Sequence, residues 1–595
     1  MSDNRAMRTI TGLPTARGYA SGPVFLYRKD GDFTLPEYLV EPGHESEELL
    51  RLNRALGLVI RDIENLISVL KDRTGRADVR VFECHQMMLE DPMLRDETVR
   101  YIRDSRLNAE SAVRKTANGA RAQFERMNDP YFRERVRDID DIERRLLYAL
   151  TGYNSNPLFD LNTPSIIVAN DLTPSETVQL PREFTLGIAT DGGSPTSHVA
   201  LLARALGIPA VTGLGDVSSQ VVPGEKILLD GTNGAVTVNP DEKASADFDR
   251  LISREREIVS AVLSGEPAGT LREGGEVKLL ANMHPGIPLA GIREFGARGI
   301  GLYRSEYLWL NRGMEPTEDE QYEAYASAVR FAKTLDKTGS VTIRVLDIGG
   351  DKTVEGITAR EANPFLGNRS IRYLLANREV FRTQLRAILR ASSEGHVCIL
   401  YPMVSCVEEV RQANAVLEGV KRELDAENVP YDRDILVGAM IEVPAAALNA
   451  EAIGEEVDLF SIGTNDLIQY TMAADRGNES VAHLYQPTNQ AVIKLMRMTV
   501  AAAKKNEIWV SICGESAADP IIGVLWAAMG VDALSMSAGY IPVLSKLLSR
   551  LTRAQLNDYS AHIRDLPPGL TAHQVFGACK AWMRKNIPDL DEILV

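Results

Sequence analysis

The sequence predicts a multidomain α/β protein, in which a small α/β domain carries an inserted helical bundle and is followed by a (β/α)8 barrel. Three observations predict it. Residues 44–150 place apolar side chains every three or four positions. From about residue 270 to 570, short β-branched runs alternate with longer helical segments. The 595 residues exceed one ordinary domain, so several compact units are expected.

At the N-terminus, Pro23-Val24-Phe25-Leu26-Tyr27 reads as a strand. It can return to pair with Ser165–Asn170, Thr185–Thr190, Lys226–Leu229 and Val236–Val238, short segments bounded by Pro, Gly and Asp. Residues 1–30 and 154–240 are therefore expected to form one domain, with the 44–150 bundle inserted in it. In that bundle Leu49, Leu52, Leu56, Ile60, Ile63, Leu66 (or Ile67) and Leu70 form one apolar stripe, and helical runs follow at Val81–Leu89 and Ala109–Leu150. Residues 241–265 read as a polar helical linker. Residues 266–595 contain eight candidate strands: Val277–Met283, Gly299–Arg304, Val341–Asp347, Val397–Met403, Ile435–Glu442, Asp458–Thr464, Ile508–Cys513 and Ala533–Ser537. Eight strands with intervening helices suit a barrel, although a doubly wound sheet reads similarly.

Composition narrows the function classes. An apolar fraction of 44% and a charged fraction of 25% are those of a globular protein. A net charge of −16 disfavours nucleic acid and suits a basic protein partner. The five cysteines are odd in number and form no CxxC pair, which argues against a disulfide framework and for a reducing compartment. No signal-peptide core precedes residue 18, and the longest apolar stretch, Ile521–Val531, is too short to span a bilayer. A cytoplasmic protein without membrane insertion is expected.

Chemistry concentrates at the predicted strand ends, which hold Arg304, Arg344, Asp347, Glu442, Asn465, Asp466 and Cys513. In a barrel all of these converge on one face. Chains do become polar where strands end, and that explains any one of these residues better than it explains the set. Two separated carboxylates suit Mg²⁺, and arginines beside them suit a ligand carrying phosphate and carboxylate. A second constellation is Asp191-Gly192-Gly193-Ser194-Pro195-Thr196-Ser197-His198, a Gly-rich turn that leads into an apolar helix. By itself it favours a structural or capping histidine, because Thr-Ser-His is a common triplet.

Read together, these stretches resemble enzyme I of the bacterial phosphoenolpyruvate-dependent phosphotransferase system. Asp-Leu-Thr-Pro-Ser-Glu-Thr at 171–177, Thr-Ser-His at 196–198 and Ala203-Arg204 with Gly207-Ile208-Pro209-Ala210 are similar to its phosphohistidine domain. Residues 301–306, 347–352, 363–367, 462–467, 475–478, 483–487 and 513–515 are similar to its substrate barrel, in the family's order. Residues 82–91 resemble its carrier-docking helices. Ser194-Pro195 stands where the family usually has Gly-Arg, and Asn368 where an aromatic is common.

The resemblance implies a role for each matched position. His198 takes the phosphoryl group of phosphoenolpyruvate and delivers it to a histidine-containing phosphocarrier protein, in the sugar or the nitrogen-regulatory branch. Arg304, Arg344, Arg369 and Arg476 surround the substrate, with Lys352 and Asn465 assisting, while Glu442 and Asp466 hold Mg²⁺. Cys513 protonates the departing enolate; its other reading is a small core residue. Without the usual arginine, Thr173 and Arg204 are left to stabilise the phosphohistidine. His85, Met88 and Glu90 lie on the docking helices, and the barrel domains pair into a homodimer. Two alternatives share parts of this pattern. A phosphoenolpyruvate synthase or dikinase needs an ATP-binding domain where the bundle stands, and a phosphoenolpyruvate-sensing regulatory protein would turn over little.

Overall fold

The computed structural model describes residues 7–27, 38–73, 85–86, 88–89, 92–126, 130–151, 161–172, 176, 180–193, 199–200, 203, 207–285, 289–310, 315–350, 352, 361–475, 478 and 480–594. The chain divides into two compact units, 1–245 and 246–595, with the division inside the helix Glu242–Ser264.

In the first unit the strands are β1 (Arg8–Thr11), β2 (Leu13–Ala16), β3 (Tyr19–Tyr27), β4 (Ser165–Ala169), β5 (Thr185–Thr190), β6 (Ala210–Thr212), β7 (Lys226–Asp230) and β8 (Ala235–Val238). They form one sheet in the order β1-β8-β7-β3-β4-β5-β6-β2. The N-terminal strand does return: β3 pairs parallel with β4 from Val24↔Ile166 to Tyr27↔Ala169 and antiparallel with β7. Three strands escape sequence reasoning, namely β1, β2 and β6, each of three or four residues. Pro14 argues against a strand, yet β2 is an edge, where a missing N–H costs no ladder bond. Between β3 and β4 stand the helices Glu45–Arg73, Pro92–Ser105, Ala109–Arg126 and Pro130–Thr151, packed around Leu52, Val59, Ile63, Ile102, Val113, Ile142 and Leu146. Leu52 and Ile63 of the predicted stripe are buried and Leu49, Leu56 and Ile60 flank them; the side chains of Leu66 and Leu70 lie outside the described residues.

The second unit is a closed parallel barrel. Its strands are β9 (Lys278–Met283), β10 (Ile300–Arg304), β11 (Ser340–Arg344), β12 (His396–Tyr401), β13 (Leu436–Ile441), β14 (Leu459–Ile462), β15 (Trp509–Ile512) and β16 (Ala533–Met536). Closure comes from β16 against β9, Ala533↔Lys278 to Met536↔Ala281, and it excludes the open doubly wound alternative. Strand alternation then sorts the side chains. Ile343, Ile399, Tyr401 and Ile441 belong to the large core shared with the helices, whereas Leu302, Cys398, Leu400, Met440, Leu459 and Cys513 form a separate small cluster inside the barrel. Two residues beyond Leu302 and Met440 come Arg304 and Glu442, so the same alternation delivers charge to the barrel mouth. Among the described residues no helix is long and apolar enough to cross a membrane.

Candidate active site

Two buried carboxylates organise the mouth. Glu306 and Asp347 are both 0% exposed. Lys352 Nζ lies 2.9 Å from Glu306 Oε1 and 2.7 Å from Asp347 Oδ2. Arg344 donates to Glu306 and sits 3.2 Å from Asp347 Oδ2. Arg369 Nη2 donates to Asp347 Oδ1 at 3.0 Å, while its Nη1 reaches the Tyr470 hydroxyl at 3.1 Å and Asp466 Oδ1 at 3.4 Å. Burial pushes the Asp347 carboxyl up, but Lys352, Arg369 and Arg344 together hold it well below the usual carboxylate range. Glu306 is likewise held low against burial, by Arg344 and Lys352. Removing one partner from such a buried set leaves an uncompensated charge, a loss of about 3–5 kcal/mol.

Glu442 behaves oppositely. Burial, then the charges of Asp466 and Asp347, push it up to about 8 against the opposing pull of Arg344 and Arg369. Its Oε1 accepts the Met403 N–H at 2.7 Å, and a Cβ placed on Gly463 would stand 2.6 Å from its Oε2. Among the described residues no group of three or more His, Cys, Asp or Glu is set around one point. A cation here would therefore be held by Glu442 and Asp466, two hard oxygen ligands. That donor set fits a divalent ion that keeps most of its waters, and a positive ion would relieve the repulsion that raises Glu442.

Arg304 ends β10 partly exposed, and among the described residues no hydrogen bond or ion pair holds its guanidinium. Asn465 lies in the first turn of the helix Thr464–Met472; its Oδ1 accepts the Glu515 N–H at 3.0 Å, and among the described residues its NH2 group has no partner. Cys513 is 2% exposed, with Sγ 3.7 Å from the Ile462 carbonyl. Burial pushes its thiol up to about 11, so it is protonated at neutral pH.

Three family models match the chain: PEP-utilising enzyme, N-terminal, over residues 11–135; the mobile domain, over 161–234; and the PEP-binding domain, over 262–553. The phosphoenolpyruvate-protein phosphotransferase of Latilactobacillus sakei is 38% identical over 94% of this chain and 96% of its own. That of Geobacillus stearothermophilus is 39% identical over 92% and 94%, and that of Haemophilus influenzae 38% over 91% and 93%. The chain belongs to the phosphoenolpyruvate-protein phosphotransferases.

The ionic network of this phosphotransferase lies wholly inside its PEP-binding segment, and His198 falls in its mobile-domain segment. The structure brings Arg304, Arg344, Lys352, Arg369, Glu442, Asn465, Asp466 and Cys513 to one barrel mouth. His198, Thr173, Arg204, Arg476 and Glu90 lie outside the described residues. The approach to His198 is described as far as Gly193, whose φ of +98° favours glycine. Asp191 anchors that approach by accepting the Ser218 N–H at 2.8 Å. The docking expectation for His85 is corrected: it is 2% exposed, with Nδ1 3.4 Å from Asp141 Oδ2, and so is a buried partner rather than a surface contact. Met88 is half-buried against the bundle core.

Sequence reasoning singled out Asp347 at its strand end but gave no role to Glu306, Tyr470 or His284. Glu306 follows its strand end by two residues, and Tyr470 is one helical turn beyond Asp466, so spacing alone could have found both. His284, just past β9, stacks on Tyr307 with ring centroids 4.2 Å apart and has Nδ1 2.9 Å from the Pro285 carbonyl. Burial, with Arg304 adding to it, pushes its imidazole down to about 4.

Proposed function

We propose that this chain transfers the phosphoryl group of phosphoenolpyruvate to His198 and then to a histidine-containing phosphocarrier protein, releasing pyruvate, as the first step of a sugar or nitrogen-regulatory phosphotransferase system. One observation carries the barrel half of this reading. Arg344, Lys352 and Arg369 are fixed by buried carboxylates, whereas among the described residues the Arg304 guanidinium beside them is uncommitted. A rigid cationic wall with one free fork suits a small anion bearing phosphate and carboxylate.

The roles follow. Arg304, Arg344, Arg369 and Arg476 neutralise and align the substrate, with Lys352 and Asn465 assisting, because phosphoryl transfer asks little covalent work of the protein. Glu442 and Asp466 would hold Mg²⁺, which would supply positive charge against the substrate's anionic groups. His198 attacks phosphorus as the neutral imidazole, and the bond from phosphorus to the enol oxygen breaks. Cys513 gives its Sγ proton to the enolate carbon. Thr173 and Arg204 surround the phosphohistidine. Residues 1–30 with 154–240 are assigned as the phosphohistidine domain, 44–150 as the carrier-binding bundle, 241–265 as the linker and 266–595 as the barrel. We assign a homodimer through the barrel, where Leu366, Leu448 and Leu484 stay exposed, and a cytoplasmic location, in keeping with the free thiols of Cys398, Cys406, Cys513 and Cys579.

The test is incubation with phosphoenolpyruvate labelled in its phosphate, with Mg²⁺, followed by mapping of the acid-labile label. It should sit on His198 alone, and a His198→Ala chain that still labels normally would overturn the assignment. Pyruvate release that stops at one per chain with carrier present would point to a sensor.

A further inference from the structure

We infer that Gln384 is a positioning residue, whose buried amide sets the spacing between the strand end carrying Arg304 and Glu306 and the one carrying Arg344 and Asp347. The inference rests on the function proposed above. Gln384 lies on the helix Arg378–Ser392, across the barrel wall from the mouth. Its Oε1 accepts the Leu346 N–H at 2.8 Å, and its Nε2 donates to Ser305 Oγ at 3.1 Å and to the Tyr325 hydroxyl at 3.0 Å. Ser305 Oγ in turn donates to the Arg344 carbonyl at 2.5 Å, and Tyr325 donates to Gln321 Oε1 at 3.1 Å. Gln321 then donates to the Pro316 carbonyl at 3.1 Å. Ser305, Gln321, Tyr325 and Gln384 are all 0% exposed.

The direction of this chain is determined. Leu346 N–H can meet only an acceptor, so the amide oxygen must face it and the NH2 must face the two hydroxyls. Each hydroxyl therefore accepts from Gln384 and passes its own hydrogen onward. Such a network has no slack, because any shift leaves a buried polar group unpaired.

Position in the fold explains what the network does. The ladder between β10 and β11 ends at Arg304↔Arg344, and Val345 already turns its N–H to Leu400 on β12. Past that point Ser305 and Leu346 are tied to each other through Gln384. Their chain neighbours, Glu306 and Asp347, must stand where one Lys352 ammonium reaches both. The amide thus governs the gap between two carboxylates that themselves fix Arg344 and Lys352.

Gln384→Met keeps length and apolar fit but removes three hydrogen bonds. For the folded variant, kcat/KM for phosphorylation by phosphoenolpyruvate should fall about 10–100-fold, since displacements near 1 Å cost that much. Back-transfer from phosphorylated carrier protein to His198 should stay within about twofold of wild type, because it bypasses the barrel. Gln384→Glu adds a readout that packing alone would not move. Its buried carboxyl accepts the Leu346 N–H in either state but can donate to one of the two hydroxyls only while protonated, so its rate relative to wild type should recover as pH falls from about 8 to 6. A folded Gln384→Met chain with wild-type forward kinetics, or one that loses both reactions equally, overturns the inference. If that variant does not fold, Ser305→Ala decides by the same pair of rates, with a fall of about tenfold expected. A wild-type chain that takes no label from phosphoenolpyruvate defeats the proposed function itself.

Discussion

Gly349 packs directly against Arg369. A Cβ on Gly349 would overlap the Arg369 Cβ and stand 3.1 Å from its Cα, and Gly349 adopts φ +106°. The close approach closes the bridge in which Gly349 N–H donates to the Lys352 carbonyl at 2.8 Å, which carries Lys352 back over Asp347. One glycine therefore seats two of the cations that neutralise Asp347.

Gly349→Ala should displace Arg369 and Lys352 together. Strain at a positive φ costs about 1–3 kcal/mol, and disturbance of the buried pairs adds to it. Phosphorylation by phosphoenolpyruvate should fall by roughly 10² or more, with the melting temperature down by several degrees. Labelling kinetics and calorimetry check both, and an active, wild-type-stable variant would show that the loop adapts.

Glu442→Gln or Asp466→Asn should abolish phosphorylation by phosphoenolpyruvate while sparing back-transfer from the phosphorylated carrier. In the function proposed above, only the barrel step uses this pair. Loss of both reactions in a well-folded variant would contradict that division.

Cys513→Ser should cut pyruvate formation by roughly 10²–10⁴-fold with substrate binding and fold largely intact. Serine is nearly isosteric, but its hydroxyl is a far weaker acid. Because burial raises the thiol to about 11, wild-type turnover should show no alkaline fall from this group below about pH 10. Unchanged turnover in the variant would reduce Cys513 to a core residue.

His284 should make the barrel acid-sensitive. Its folded value of about 4 lies below the ordinary 6.5, so the unfolded chain binds the extra proton first. The stability it contributes is present above about pH 6.5 and is lost as pH falls through 4, a swing of about 3 kcal/mol. His284→Phe, which retains a ring for Tyr307, should flatten the acid arm of the stability profile in denaturant titrations. A variant profile parallel to wild type between pH 6.5 and 4 would remove His284 as the cause.

Much of the site was legible because strand alternation is local. Arg304 and Glu442 continue the inward parity of Leu302 and Met440, and the family-like stretches fall at the same strand ends. The edge strands β1 and β2 were not legible, since four residues each, with a proline in β2, carry no period to read. Nor was the burial of His85, because its partner Asp141 lies on another helix.

The sequence by itself determined the order of elements, the inward-facing register and the types of side chain at the mouth, all set by spacing along one strand or helix. Only the tertiary structure decided between a closed barrel and an open sheet, because closure pairs residues 278–281 with 533–536 and no local pattern records that contact. It also separated four carboxylates that look alike in sequence. Glu306 and Asp347 are committed to cations and held ionised, while the neighbouring charge of Asp466, itself 3.4 Å from Arg369 Nη1, helps burial push Glu442 up. Which charge meets which depends on distances across strands, and burial then amplifies each of those distances into a different chemical role.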